Sequence, residues 1–352
     1  MIRGGALAAA GLLSVGLSTG VAANGAAEPD VAMLSFADLE GWEEDDHGAA
    51  LDAFRETCRD LRDQDWQVLC ALSAETRDAR AFFEAFFLPV QIGTEEEGLF
   101  TGYYEPQIVG RTRPQGRYTA PVYRLPEDPP SDPWPTRRQI EEDGILSGQD
   151  LEIAWVDPVD LFFLQIQGSG RIRMPGGTVI RLGYAGANGQ PYDSIGQELV
   201  ARGEYDTHQV SAAVIRSWIN RNPDAGRELM WHNRSYVFFR VVNEVPADRG
   251  PLGAMNRSLT PLRSLAVDPA HVPLGAPVWI EAQGTVPMNR LMVAQDTGSA
   301  IKGAQRGDIF FGTGSGAGSR AGRVRDSGRI VTLLPIQRAW DMMPVQLATA
   351  DG

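Results

Sequence analysis

The chain is organised around residues 291–322, LMVAQDTGSAIKGAQRGDIFFGTGSGAGSRAG. An apolar run ends in Asp296, and Asp308 stands directly before a second apolar pair. This pattern predicts two short strands that bring two aspartates to a rim, where Gly-containing turns let the backbone approach a ligand. Asp is also common in turns for its own hydrogen bonding, so a purely structural role for both is the alternative.

The composition and charge of the chain limit the classes of molecule that it can bind. The chain has 352 residues, 43% of them hydrophobic, and a formal net charge of −13. It is long enough for a sizeable core and predicts a globular protein with two domains. The acidic balance argues against a nucleic-acid partner, which requires a basic face. A glycan partner stays open, because sugars are bound by hydrogen bonds and aromatic stacking. The one lysine, Lys302, lies between the two aspartates.

The N-terminal residues predict export. Residues 1–23 carry Arg3, then an apolar run, then Val21-Ala22-Ala23, which is typical of a cleaved signal peptide. A short membrane anchor is the alternative. No cysteine lies near the cleavage point, so we expect no lipid anchor. No later apolar run approaches the 18 residues of a membrane-spanning helix.

The two cysteines, Cys58 and Cys70, lie in one segment and predict a disulfide in an oxidising compartment. No metal site is expected, because two cysteines without nearby histidines cannot complete a tetrahedral site. The four histidines are scattered, so neither ligand spacing nor a Ser-His-Asp arrangement is indicated.

Helices and strands alternate in blocks along the chain. Residues 31–90 have helical periodicity up to Pro89, and residues 98–126 have the β-branched and aromatic residues of strands. A short helix is predicted at 136–143, and two helices between 194 and 228, the second of which ends at Pro223. An all-β region is predicted over 250–340. The order predicts an α+β protein, mainly β, with one domain inserted into the other.

Two segments offer candidate binding residues. Tyr103 and Tyr104 face opposite ways on a strand, so one can stack on a sugar while the other fills the core, although core packing is the more common fate. In LFFLQIQGSGRIRM, alternation predicts a hairpin about Gly168-Ser169-Gly170 that puts Gln165 and Gln167 on one face. Such a row suits hydroxyl and acetamido groups; a merely solvated face is the alternative.

Several motifs in order resemble the membrane-bound lytic murein transglycosylase A family. They are GLFTGYYEP (98–106), LFFLQIQGSG (161–170), NRSLTPL (256–262), SLAVDPAHVPLGAPVWIE (264–281) and QDTGSAIKG with GDIFFG (295–312). The resemblance covers residues from about 95 to 335. It implies a double-psi β-barrel domain from residues 30–105 and 246–345, an inserted β-rich domain from residues 106–245, and a glycan cleft between them.

The resemblance also implies a function. Family members cleave the β-1,4 bond between N-acetylmuramic acid and N-acetylglucosamine and leave a 1,6-anhydro end without using water. The family's catalytic aspartate corresponds to Asp308, and Asp296 lines the same cleft. Candidate substrate-binding residues come from the matching motifs: Thr101, Tyr103, Glu105, Gln165, Gln167, Ser169, Gly298 and Ser299.

One carboxyl group can act as acid and then as base in this reaction, provided that Asp308 holds its proton far above a pKa of about 3.9. Burial, or Asp296 as a nearby like charge, would raise that pKa. We expect a monomer without cofactor or metal, acting on peptidoglycan glycan strands and meeting cell-wall synthesis or division complexes. Well-known members of the family are lipoproteins, but this chain lacks the cysteine that a lipid anchor requires. We therefore expect a soluble periplasmic enzyme, with association with the outer membrane as the alternative.

Two rival functions are open from the residues. Asp296-Thr297-Gly298-Ser299 has the D-T-G-[ST] pattern of aspartic proteases, but their chemistry needs two such aspartates and this chain has one such motif. The second rival is a double-psi barrel that binds glycan without cutting it, since a fold does not specify chemistry.

Overall fold

A computed structural model describes residues 30–94, 97–127, 134–284 and 287–343. The predicted signal peptide, residues 1–23, lies outside this part of the chain, as do the last two residues of the predicted first domain. No helix in the described ranges is both long enough and apolar enough to cross a membrane.

The described residues form strands and helices in the mixed, mainly β pattern that the sequence predicts. The strands are β1 Val31–Met33, β2 Phe87–Ile92, β3 Gly98–Glu105, β4 Gln107–Arg111, β5 Ala120–Tyr123, β6 Glu152–Val156, β7 Gly170–Arg173, β8 Val179–Ala187, β9 Val237–Val241, β10 Ser264–Ala266, β11 Pro277–Gln283, β12 Met288–Asp296, β13 Arg306–Thr313 and β14 Arg325–Pro335. The helices are α1 His47–Thr57, α2 Gln64–Glu75, α3 Ala79–Phe86, α4 Arg137–Glu141, α5 Pro158–Gln167, α6 Ile195–Ala201, α7 Ala212–Arg221, α8 Pro223–His232, α9 Ser315–Ala321 and α10 Ile336–Asp341.

The larger sheet draws its strands from both parts of the chain that flank residues 107–241. Its order is β1-β2-β14-β11-β12-β10-β13-β3, and β14 also pairs with β3. Six strands, β14, β11, β12, β10, β13 and β3, therefore close into a ring, while β1 and β2 extend from β14. Closure leaves the ring without a free edge between its first and last strands.

Strand β12 is buried on both faces, which explains why its sequence is an apolar run instead of an alternating pattern. Met292 and Ala294 pack inside the ring with Phe100, whereas Leu291 and Val293 pack outward against the helices α1 to α3. Both faces of the strand are thus covered by apolar groups, as in other strands buried on two sides. The strand is held rigidly up to its last residue, Asp296.

The smaller sheet comprises residues 107–241 and runs β5-β6-β4-β7-β8-β9. Helix α5 contributes Leu161 and Leu164 to the core of this sheet. Its other side, with Phe162 and Phe163, packs against α6, α7 and α8. Because α5 is covered on both sides, its C-terminal end has a fixed position.

The hairpin predicted at 161–174 is wrong, because its first half is α5. Asp157 caps this helix by accepting hydrogen bonds from the backbone N–H groups of Val159 and Asp160, and Pro158 occupies the first turn. Gly168 ends it with a positive φ of 72°. Residues two apart on a helix do not share a face, so Gln165 and Gln167 point in different directions.

Other boundaries also differ from the prediction. Helix α3 ends at Phe86 and Pro89 lies in β2. A proline disfavours helical geometry at the residue before it, so the helix ends earlier than predicted. Helix α8 begins at Pro223, the residue predicted to end the helical region, because proline fits the first helical turn. The region predicted as all-β contains α9 and α10. The disulfide is confirmed: Cys58, at the end of α1, is bonded to Cys70 in α2.

Candidate active site

Strand pairing brings the two predicted aspartates together. Ala266 of β10 pairs with Asp296 of β12 on one side and with Asp308 of β13 on the other. Asp308 pairs in turn with Thr101 of β3. Residues directly opposite each other point to the same face of a sheet. The two carboxylates therefore stand on one face, two strand spacings or roughly 10 Å apart at their Cα atoms.

Asp308 lies within β13, so the interpretation of this residue as part of a turn is wrong. Its Oδ1 accepts a hydrogen bond of 2.6 Å from the Thr101 hydroxyl, which accepts one of 2.7 Å from the Arg306 guanidinium. Burial raises the pKa of Asp308 to about 6; the bond from Thr101 and the charge of Arg306 oppose this rise, and the charge of Asp296 adds to it. The side chain is still partly exposed in a cavity. It is a carboxyl group that can exchange a proton near neutral pH.

Asp296, at the end of β12, accepts three hydrogen bonds. Tyr103 Oη donates to Oδ2 at 2.8 Å, and the backbone N–H groups of Ala254 and Thr297 donate to Oδ1 at 2.9 and 3.0 Å. Burial raises the pKa of Asp296, and these three bonds oppose it. Burial and the charge of Asp296 raise the pKa of Tyr103 well above its ordinary value, so its hydroxyl stays a donor.

A cavity of about 300 Å³ contains both aspartates. It continues into a second cavity of about 810 Å³, because residues such as Gln167, Asp296 and Gly298 line both. The lining residues come from β3, β12 and β13 of the larger sheet and from α5, β9 and the 189–192 segment. We call the two cavities together the groove. Its combined size suits several sugar rings better than a single one.

The structure brings most of the predicted binding residues to the groove. Five line the 300 Å³ cavity, and Ser169 lines the 810 Å³ cavity. Those five are Tyr103, Gln165, Gln167, Gly298 and Ser299. Thr101 reaches the site through its hydrogen bond to Asp308.

The two glutamines reach the groove by a route other than the predicted hairpin. Gln165 is buried; it accepts a hydrogen bond of 2.6 Å from Arg137 and donates one of 3.0 Å to the Val237 carbonyl. Gln167 accepts one of 3.0 Å from the backbone N–H of Tyr104, which ties the end of α5 to β3. Both side chains are therefore fixed before any ligand enters.

Glu105 lies apart from the groove. Its side chain is fully buried, and its carboxylate accepts hydrogen bonds from Arg171 at 2.8 Å and from Thr313 at 2.7 Å. Arg181 lies 3.5 Å away. The two arginines also donate to the backbone carbonyls of residues 246–249, so this network joins the smaller sheet to the segments that connect it with the ring. Glu105 therefore has a structural role in this network and does not line the groove. The alternation of residues along β3 could not reveal this difference from Thr101 and Tyr103.

Sequence reasoning missed several residues of the groove. Arg306, which holds Thr101 against Asp308, stands two residues before Asp308 and could have been chosen on that ground alone. Tyr192 lines both cavities, and Tyr184, which is 56% exposed, lines the larger one. The only signal for these two tyrosines was an aromatic residue in or beside a Gly-rich segment. The described residues contain no group of three or more His, Cys, Asp or Glu side chains placed to hold a metal ion.

Comparison with known families and proteins assigns this architecture. Residues 99–240 match the family model of the MltA-specific insert domain, and residues 263–334 match that of the 3D domain. The membrane-bound lytic murein transglycosylase A of Vibrio cholerae is 34% identical over 269 residues, which cover 72% of this chain and 71% of that relative.

Solved structures of similar proteins point to the same family. The membrane-bound lytic murein transglycosylase of Agrobacterium tumefaciens superposes with a TM-score of 0.80 at 33% identity, over 89% of this chain and all of that one. Escherichia coli MltA with bound chitohexaose superposes with a TM-score of 0.69 at 28% identity, over 88% of this chain and 93% of that one. The chain belongs to the membrane-bound lytic murein transglycosylase A family.

Proposed function

We propose that this protein is a lytic transglycosylase that cleaves the MurNAc-β-1,4-GlcNAc bond of peptidoglycan without water and leaves 1,6-anhydro-MurNAc ends. Its family and the names of its relatives support the activity. One observation carries the chemistry: Asp308 stands in a groove beside a second aspartate, and burial raises its pKa to about 6. At pH 7 about a tenth of such groups hold a proton, far more than at an ordinary aspartate.

Asp308 performs both proton transfers in this proposal. Its carboxyl proton goes to the glycosidic oxygen as the bond from that oxygen to C1 breaks. The C6 hydroxyl oxygen of the same N-acetylmuramic acid then bonds to C1, and its proton goes to the Asp308 carboxylate. Asp308 gives up one proton and takes one back, and no water is consumed. One carboxyl group therefore suffices where hydrolases commonly use two.

Asp296 has a supporting role at the reacting centre. Its two oxygens already accept three hydrogen bonds, so it is a poor base for a further proton. Its negative charge helps to keep the proton on Asp308. The fixed donors and acceptors around it, from Thr297 to Ser299, would meet the sugar on that side of the groove.

The groove matches a glycan strand in length and chemistry. Partly exposed Tyr184 and Tyr192 offer aromatic faces, and Gln167 and Ser299 offer groups for hydroxyl and acetamido contacts. Chitohexaose, which Escherichia coli MltA binds, is a chain of the same N-acetylated sugar type. We assign glycan-strand binding to this groove in the present protein.

The ring of six strands supports a double-psi β-barrel domain built from residues 30–105 and 246–345. The smaller sheet supports an inserted domain at 106–245, and the groove would be the cleft between them. An exported enzyme that works in the periplasm follows from the substrate, which lies there. A cleaved signal peptide, a monomeric state and contacts with cell-wall synthesis or division complexes stay predictions.

The decisive experiment is mass spectrometry of the products released from peptidoglycan sacculi by the purified protein. We expect fragments lighter by one water than hydrolytic ones, and their loss in Asp308→Asn while glycan binding persists. Asp296→Asn should reduce turnover less severely. Asp224→Asn is the matched control, because its side chain is fully exposed and lies outside the groove.

Each other outcome has a defined meaning. Hydrolytic products would contradict the anhydro reaction, and full activity of Asp308→Asn would contradict the role of Asp308. Binding of sacculi without any product would favour the rival function, a barrel that binds glycan without cutting it. The aspartic-protease rival is disfavoured, because Asp296 pairs with hydrogen-bond donors and not with a second D-T-G aspartate.

A further inference from the structure

We propose that the part of the groove beyond Asp296 is a carboxylate-binding subsite, in which Lys302 and Arg240 hold an acidic substituent of the glycan. This inference rests on the proposed function, because it names the chemical group of the substrate that the 810 Å³ cavity takes. It concerns recognition and leaves the proton transfers of Asp308 unchanged.

Lys302 is the only lysine among the 32 basic residues of the chain, and it lines this cavity. Its side chain is 66% exposed, and the Asp268 carboxylate lies 3.7 Å from Nζ, near the outer limit of an ion pair. Asp268 Oδ1 and Oδ2 already accept hydrogen bonds from the backbone N–H groups of Ala270 and Gly303. An ammonium group has three donors, so Lys302 retains donors for a ligand.

Arg240 reaches the same cavity from β9, in the smaller sheet. Its guanidinium donates to Glu244 at 2.8 Å and to Asn256 at 3.3 Å, and its side chain is 41% exposed. Five donors are available on a guanidinium, so these two contacts orient the group without exhausting it. The cavity thus has one cation from the loop between β12 and β13 and one from the smaller sheet.

The described side chains that line the cavity carry two positive charges and one negative charge, and the carboxylates of Asp268 and Glu244, which pair with the two cations, lie outside this lining. Among the described residues that line it, Asp296 is the one carboxylate, and three hydrogen bonds already satisfy it. Two cations in the wall of a groove, in a protein with a net charge of −13, create a local site for an anion.

The sugar rings of the strand are neutral, so the anion must be one of its substituents. Peptidoglycan has carboxylates either on the peptides attached to the lactyl group or, where the peptide has been removed, on the lactyl group itself. The two sources share the carboxylate chemistry that Lys302 and Arg240 recognise. Chitohexaose has no carboxylate and serves as the neutral comparison.

The test is isothermal titration calorimetry in an Asp308→Asn background, with three ligands: peptide-bearing glycan strands, strands stripped of peptide, and chitohexaose. Lys302→Gln should weaken binding of at least one anionic ligand about fivefold, and binding of chitohexaose less than twofold. Lys302→Arg should restore the affinity. Arg173→Gln removes the same charge from an exposed position outside the groove and should leave all three affinities unchanged.

A loss confined to peptide-bearing strands identifies the peptide as the source of the carboxylate, and a loss confined to stripped strands identifies the lactyl group. Equal losses for all three ligands, or no loss for any, would overturn the proposal. Cleavage of sacculi by the wild-type protein is measured separately. The subsite can therefore fail while the lytic activity stands, and the absence of any product would instead contradict the proposed function.

Discussion

The replacement Asp308→Asn should make the protein more stable at neutral pH, although it removes the proposed catalytic group. In the folded chain the pKa of Asp308 is about 6, against 3.8 for an aspartate in a model peptide. The folded state therefore binds a proton at Asp308 more tightly than the unfolded state does. As the pH rises from about 4 to about 6, the unfolded state ionises while the folded state still holds its proton, so the folded state loses stability relative to the unfolded state. An amide in place of the carboxyl group has no charge to bury.

The size of the effect follows from linkage. A difference of about two pKa units, at 1.36 kcal/mol each, corresponds to about 3 kcal/mol. Asp308 is partly exposed in the groove, so water reduces this figure, and we expect about 1–3 kcal/mol. Asn retains the oxygen that accepts the hydrogen bond from Thr101, so the variant loses the charge without losing that contact.

Thermal unfolding from about pH 3 to about pH 8 measures the effect. Below pH 4 Asp308 is protonated in both states, and the variant and the wild type should unfold at nearly equal temperatures. Between about pH 4 and pH 6 the wild type should lose stability relative to the variant, and above pH 6 the difference should be constant, at a few degrees. An equal difference at all pH values, or a less stable variant at pH 8, would refute the assignment of the raised pKa to Asp308.

Three further predictions follow from the same contacts. The alkaline limb of the kcat/KM profile should fall tenfold per pH unit above about pH 6 as Asp308 ionises, and Thr101→Val should move this limb to higher pH, because the hydroxyl lowers the pKa of Asp308. Tyr103→Phe should cost about 1.5–3 kcal/mol of stability in chemical denaturation, because it removes a hydrogen bond to the half-buried carboxyl group of Asp296. Reduction of the Cys58–Cys70 disulfide, with a sequence separation of 12, should cost about 3 kcal/mol, measured by unfolding with and without a reducing agent.

The strands that bear the aspartates could be predicted because their signal is local. An apolar run that ends in a carboxylate and a glycine turn has few alternatives, and both β12 and β13 lie where the sequence indicated. The signal for the disulfide is also local, because its two cysteines lie in one short segment. The pairing of Ala266 with both Asp296 and Asp308 is a long-range fact, which no pattern within either strand contains.

Helix α5 shows how a pattern can predict the wrong structure. LFFLQIQ alternates well enough for a strand, yet Asp157-Pro158 before it is a helix start, and the capping geometry decides the outcome. The candidates Gln165 and Gln167 still reach the groove, for a different reason: the buried contacts of Gln165 with Arg137 and of Gln167 with the β3 backbone direct them there. Side-chain positions set by such contacts depend on tertiary structure, and the same is true of the buried ion pairs of Glu105.

The hydrogen bonds of the two aspartates determine which of them can act as an acid. Both side chains stand on one face of one sheet, and burial raises the pKa of both. Asp296 accepts three hydrogen bonds, each of which favours the carboxylate, whereas Asp308 accepts one. The carboxylate of Asp308 is therefore stabilised by fewer donors than that of Asp296. A second donor to Asp308, supplied by mutation of a neighbouring residue, should therefore lower its pKa and its acid activity even if the sugar still binds in place.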